Sequence, residues 1–278
     1  MLMDVLSKAS TIAMLAFVIS SMLAMGVGLS ISEIMQPLRT PRLIVFALLS
    51  NFVLMPLCAF ALSTLLRLDQ PLGVGMLLLG CAAGAPFLPK LAELAKGNLP
   101  FAVGTMVLLM VITVGYLPVV LPLLLPGVAV NPAKIAQSLV LLMLLPLGIG
   151  LALKSRYEEM AAWVKPMLDR ISNVSLIMLV LLITAANLDK VLEVFGTRGI
   201  LAGVLFIVLG FGIGWLLGGP GNDTRRVLAL GTGQRNIAAA LVVATQSFSD
   251  PRVVVMVIVV AIVGLVMLMP LSRALAKR

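Results

Sequence analysis

Histidine is absent from this chain of 278 residues, and charged residues make up only 11% of it. The missing imidazole removes the commonest general base and a common metal ligand. Both cysteines, Cys58 and Cys81, fall inside apolar stretches, so no disulfide framework follows and no histidine can activate them. The 11 carboxylates lie in loops or near the ends of apolar runs. An intramembrane aspartyl protease needs paired acids at mid-membrane, so the sequence offers little for an enzyme.

Apolar residues are what the chain has in excess. They make up 61% of it, with a mean hydropathy of +1.18, whereas soluble proteins contain about 45–50%. The apolar runs are long and do not alternate as in the strands of a β-barrel. We therefore expect an all-α polytopic membrane protein. The net charge of +9 comes from scattered basic residues, which is typical of membrane loops and not of a nucleic-acid-binding face.

The apolar runs predict nine membrane-spanning helices, because each crossing needs about 20 residues. The first could be mistaken for a signal peptide, but it is too long, and we expect it to be retained. Turn residues separate the spans, and nothing suggests a second domain, so residues 1–278 are expected to form one unit. The spans are predicted at about 11–31, 43–66, 71–95, 99–125, 133–153, 166–187, 199–217, 225–248 and 252–274.

Basic residues predict the orientation of these spans. With nine spans the termini lie on opposite sides, and thirteen of the 20 Lys and Arg residues fall on the side of the C-terminus, against six on the other. The positive-inside rule then places the C-terminus in the cytoplasm and the N-terminus outside. A bacterial inner (plasma) membrane is the expected location.

Two spans carry residues that interrupt a helix. The third contains Gly84, Pro86 and Pro89, and the eighth contains Gly231 and Gly233. Backbone freed from a helix cannot face lipid, so it must be packed in protein or line a cavity. Interrupted spans at matching places in two halves of a chain indicate the binding site of a transporter. The alternative is a pair of kinked structural helices.

Few polar side chains lie deep in these runs. Arg235 is nearly central in the eighth span, where a charge needs a partner; an anionic substrate or the freed carbonyls of a broken helix would serve. Lys90 follows the first interruption and could instead reach the membrane interface. Asn51, in the second span, is either a site residue or a hydrogen bond between helices.

Four segments together resemble the bile acid:sodium symporter family. They are "LLGCAAGAPFLPKLAELAKGN", "ALGTGQRNIAAAL", "SNFVLMP" and "MGVGLSISE", and the similarity extends over the whole chain in order. The resemblance implies an inverted-repeat transporter in which two discontinuous helices, here spans 3 and 8, cross at the membrane centre. It also implies a core of the spans at about 43–125 and 199–274, which moves against a panel of the spans at about 11–31 and 133–187.

The sequence departs from the family at the positions that would bind sodium. Where the family has oxygen-bearing or acidic side chains, this chain has apolar residues or glycine: Leu88, Pro89, Ala102, Met106 and Gly231. Arg235 and Asn51 replace two family glutamines. Since hard cations prefer several oxygen ligands, we expect the Arg235 guanidinium to take the electrostatic place of the bound cation.

These residues lead us to expect a secondary active transporter of a small organic anion that works by alternating access. The substrate is expected to meet six polar residues: Arg235, Asn236, Gln234, Thr232, Asn51 and Lys90. One rival keeps sodium as the coupling ion at a residual site made by Asn51, Thr232 and Gln234; otherwise no cofactor is expected. A second rival is a membrane receptor that does not transport. A monomer or weak homo-oligomer in the bilayer is expected.

Overall fold

The computed structural model describes residues 2–35, 40–125, 131–186, 188–189 and 197–277. Across those ranges the regular structure is helical, without strands. The helices are, in chain order, α1 Leu2–Gly28, α2 Ile31–Met35, α3 Pro41–Leu65, α4 Gln70–Cys81, α5 Leu88–Leu94, α6 Leu99–Leu124, α7 Pro132–Arg156, α8 Glu158–Ala186, α9 Gly199–Leu217, α10 Asn222–Gly233, α11 Ile237–Ser247 and α12 Pro251–Leu275.

Eight helical segments of the described chain are long and apolar enough to cross a membrane, with α10 and α11 counted as one segment. The third predicted span is not among them, because it is divided into α4, of 12 residues, and α5, of seven. The polytopic helical class is therefore confirmed, whereas the count of nine crossings stays a prediction. Predicted and observed ends differ by three residues or fewer at most spans. The exceptions are α1, which begins at Leu2, and α8, which begins at Glu158.

The helices pack in two groups. In one, α1 lies against α7 and α8; in the other, α4 lies against α3 and α12, and α9 against α10 and α12. Glycines permit the closest approaches. A Cβ at Gly26 would lie 2.4 Å from the Leu147 carbonyl oxygen, and one at Gly214 would lie 2.3 Å from that of Leu228. The segment formed by α10 and α11 is the most enclosed, whereas α8 exposes most of its side chains. The interrupted helices thus lie at the centre of the second group.

Candidate functional site

The first interruption separates α4 from α5. Residues 82–87 leave the helix, and Gly84 has a φ of +79°, which favours glycine. A Cβ at Gly84 would also lie 2.3 Å from the Met110 backbone nitrogen on α6. Pro86 lies within the interruption, whereas Pro89 lies in the first turn of α5, where its missing amide hydrogen has no helical partner to lose. Gly84 therefore fixes both the direction of the chain and its contact with α6.

The second interruption separates α10 from α11 and is shorter, from Gln234 to Asn236. The Asn236 side chain caps α11 by accepting a hydrogen bond from the Ala239 backbone nitrogen at 3.0 Å. Gly231 and Gly233 lie inside the last turn of α10, not in the interruption itself. They serve close packing: a Cβ at Gly233 would lie 3.3 Å from the Phe211 backbone nitrogen on α9.

The two interruptions satisfy each other's backbone groups. The Asn236 backbone nitrogen donates to the Ala82 carbonyl oxygen at 2.9 Å, and its Nδ2 donates to the Ala83 carbonyl oxygen at 3.3 Å. The Thr113 hydroxyl, from α6, accepts from the Ala83 nitrogen at 3.0 Å and donates to the Ala83 carbonyl at 3.1 Å. These backbone groups of Ala82, Ala83 and Asn236 are thus paired within the protein, as a membrane requires.

Arg235 lies beside this junction with only 2% of its surface exposed. Its Nε donates to the Leu79 carbonyl oxygen at 2.8 Å, and its Nη2 donates to the Gly80 carbonyl oxygen at 2.7 Å. Both carbonyls belong to the last turn of α4, where carbonyls lack their usual helical donors and the helix dipole favours a cation; the Leu79 oxygen also accepts from the Ala82 backbone nitrogen at 3.2 Å. Within the described residues no carboxylate forms an ion pair with Arg235. The end of a broken helix therefore supplies its counter-charge.

The other side of the guanidinium faces α3 and α10. Nη1 donates to Asn51 Oδ1 at 2.7 Å and to the Thr232 carbonyl oxygen at 3.4 Å. Asn51 Nδ2 in turn donates to the Thr232 hydroxyl at 3.3 Å, and that hydroxyl donates to Ser50 Oγ at 3.3 Å. These residues are all buried. Arg235 thereby connects α3, α4 and α10 through one continuous polar network.

A π-helical turn positions the α3 part of this network. Residues Ser50–Leu54 form the turn, which ends two residues before Pro56. Pro56 has no amide hydrogen, so the Phe52 carbonyl, four residues earlier, has lost its usual helical donor. The Tyr116 hydroxyl of α6 donates to that oxygen at 2.5 Å. The extra residue of the π turn places Ser50, Asn51 and Phe52 together on the buried side.

An apolar contact lies beside the polar network, at two of the positions where the sequence departs from the family it resembles. Leu88 is 1% exposed and lies over Gly231, where an added Cβ would be 2.9 Å from Leu88 Cδ2. Ala102 and Met106 are buried on α6. The Leu88 side chain thus occupies the space that a side chain at residue 231 would need.

The structure does not bring all six predicted site residues together. Arg235, Asn51 and Thr232 share the polar network, and Asn236 borders it through the interruptions. Gln234 Oε1 is buried and has no hydrogen-bond partner. Lys90 stands apart: it is exposed and pairs with Glu93, with 2.8 Å between Nζ and Oε2.

Three side chains that make hydrogen bonds in this region, those of Ser50, Tyr116 and Thr113, were missed by the sequence prediction. Ser50 is next to Asn51 and carried its own signal, a second polar residue in an apolar run. Pro56 has no amide hydrogen for the Phe52 carbonyl, which accepts from Tyr116 instead. The spacing of Phe52 and Pro56 therefore indicated that this carbonyl needs another donor. Nothing in the sequence indicated that Thr113 would be the residue that binds Ala83.

Comparison with known proteins gives one family and several relatives. The family described as "Sodium Bile acid symporter family" matches residues 14–194. The chain is 26% identical over 243 residues to the "Uncharacterized sodium-dependent transporter YocS" of Bacillus subtilis, covering 82% of this chain and 72% of that protein. It is 26% identical over 239 residues to the "Probable sodium/metabolite cotransporter BASS1, chloroplastic" of Arabidopsis thaliana, covering 83% of this chain. Only 58% of that plant protein's own length is spanned.

Proposed function

Because the chain belongs to the sodium bile acid symporter family, whose members are membrane transporters, we propose that it moves a small organic anion by alternating access. The two helix groups supply the moving parts. The group around α4 and α10 would be the core, and α1, α7 and α8 would be the panel. A cytoplasmic C-terminus belongs to this proposal, and a fluorescent protein fused after Arg278 would report it, since it would fluoresce on that side only.

The observation that carries the proposal is the position of the Arg235 guanidinium. It holds a fixed positive charge at the meeting point of two interrupted helices, and an anion that approaches this point is attracted by it. Gln234 Oε1 and Thr105 Oγ1 are the buried side-chain oxygens of the described chain that have no hydrogen-bond partner. Gln234 lies next to Arg235 in the chain, so its unpaired amide oxygen is available to accept a hydrogen bond from a donor on the ligand.

The contacts of Arg235 also bear on the coupling ion. Asn51 Oδ1 and the Thr232 carbonyl, two of the oxygens that a residual sodium site would use, already accept hydrogen bonds from the guanidinium. Leu88 closes the space over Gly231. Both observations favour transport without sodium, although the names of the relatives include a sodium-dependent transporter.

Counterflow in proteoliposomes tests this proposal. Vesicles loaded with cholate, 2-ketoisovalerate or lactate would take up trace label of the same anion, equally well in sodium and in choline buffer. Arg235→Gln, which removes the charge but keeps amide donors, would reduce uptake at least tenfold. Uptake that requires sodium would overturn the sodium-free mechanism and favour the symport alternative. Saturable binding of these anions without counterflow would favour a receptor.

A further inference from the structure

The oxygens around Arg235 have the geometry of a binding site whose ligand is part of the chain. Four oxygens from three helices meet one buried planar group: the carbonyls of Leu79 and Gly80, the amide of Asn51 and the carbonyl of Thr232. Three of the four contacts are 2.7–2.8 Å, which is typical of charge-assisted hydrogen bonds. None of these oxygens is a carboxylate, so the site provides only partial negative charges.

The arrangement suits a guanidinium better than a spherical ion. Leu79 and Gly80 are consecutive, so their carbonyls receive Nε and Nη2, two nitrogens on one edge of the guanidinium plane. Nη1, the third nitrogen of the guanidinium, reaches Asn51 and Thr232. A planar fork of donors fits this spread, whereas a small hard cation draws about six oxygens into a compact shell.

We propose that these four oxygens form a guanidinium-binding site, permanently occupied by Arg235, that takes free guanidinium in preference to sodium when the side chain is removed. This inference rests on the proposed function and deepens it, since it identifies the group that takes the place of the coupling ion and explains why no sodium is needed. Because the site can be examined without transport, the two proposals can fail separately.

Thermal unfolding of the purified Arg235→Ala protein in detergent tests the proposal. In choline buffer the variant would unfold about 5–10 °C below the parent, because buried carbonyls and Asn51 lose a charged donor. Guanidinium or methylguanidinium chloride, at low millimolar concentrations far below those that denature proteins, would restore part of this loss with a saturable dependence. Sodium chloride and choline chloride at the same ionic strength would not.

A second arginine provides the matched control. Arg226 also donates to carbonyls at a helix end, those of Ala95 and Lys96 after α5, at 3.0 and 3.4 Å. Arg226 is only half-buried, so water replaces its contacts. Arg226→Ala should therefore show no saturable stabilisation by guanidinium.

The remaining outcomes also decide the question. If Arg235→Ala folds only when guanidinium is present from lysis onward, the rescue supports the site. If it folds in no buffer, the same titration on Arg235→Gln decides, because Gln is too short to pair all four oxygens. Absence of saturable stabilisation in the variant that folds, or an equal effect of sodium, would overturn the proposal.

Discussion

Leu88 and Gly231 share one space in the interior of the protein. Leu88 comes from α5 and Gly231 from α10, and the 2.9 Å approach of an added Cβ to Leu88 Cδ2 leaves no room for a larger residue. Real Cβ atoms do not approach another atom this closely, so a longer side chain at residue 231 must displace Leu88. Leu88 therefore fills the space that the missing side chain at Gly231 leaves free.

A double-variant cycle measures this complementarity. Gly231→Leu should destabilise the protein by about 1–3 kcal/mol through overpacking. Leu88→Ala should cost about 2–5 kcal/mol through the cavity it leaves. The double variant should unfold at a higher temperature than the sum of the two losses predicts, because the new Leu fills the vacated space. Gly212→Leu is the control for adding a leucine elsewhere, since nothing lies within 4 Å of its Cβ position, and its effect should simply add to that of Leu88→Ala. Additive losses would show that the two residues do not share the space.

At the scale of helices, the proline spacing in α3 recurs in α7. Residues Val140–Leu144 form a second π-helical turn, which ends two residues before Pro146, as the first turn ends two residues before Pro56. A proline cannot donate to the carbonyl four residues earlier and clashes with it, and the wider turn relieves this clash. In both helices, therefore, the local widening precedes a proline at the same spacing, whereas Pro118 and Pro122 lie inside α6 without a π-helical turn.

The Phe52 carbonyl gives this explanation a direct test. Tyr116→Phe removes the hydroxyl that donates to it and should destabilise the protein by about 1–3 kcal/mol, the cost of a buried acceptor without a partner. In a Pro56→Ala background the same substitution should cost less, because an alanine at residue 56 supplies the missing amide hydrogen. Thermal unfolding of the four proteins in detergent would measure the difference. An equal cost in both backgrounds would separate the role of Tyr116 from that of Pro56.

The sequence predicted the helices well and their partners poorly, for a physical reason. Apolar runs of about 20 residues determine where a span can lie, so most ends were found within a few residues. The first turns of α8 were missed because Glu158, Glu159 and Lys165 make them too polar to be recognised as part of a span. The sequence could not decide whether Arg235 is paired with an anion or with helix carbonyls. The carbonyls that it binds, those of Leu79 and Gly80, are more than 150 residues away in the chain. Such contacts are a property of the fold and not of local pattern.

For the molecule as a whole, the contacts between the two helix groups decide whether alternating access is possible. Ser138 of α7 donates a hydrogen bond to Gln246 of α11, and α1 also lies against α11. These contacts join the proposed panel to the second half of the interrupted span. If panel and core move relative to each other, this contact must open in every cycle. A covalent link at the same place would then stop transport without damaging either group.

A cysteine pair at Ser138 and Gln246, in a Cys58→Ser and Cys81→Ala background, makes this link. Oxidation should reduce counterflow at least tenfold, and reduction should restore it, because the proposed panel and core are held together only while the disulfide is closed. The control pair is Asn98 and Asp223, whose side chains are 3.2 Å apart and lie between two helices of the proposed core. Closing that second disulfide should leave counterflow unchanged, since its two partners move as one body. Full transport with the Ser138–Gln246 link closed would mean that the two helix groups do not separate there, and the assignment of α7 to a separate panel would be wrong.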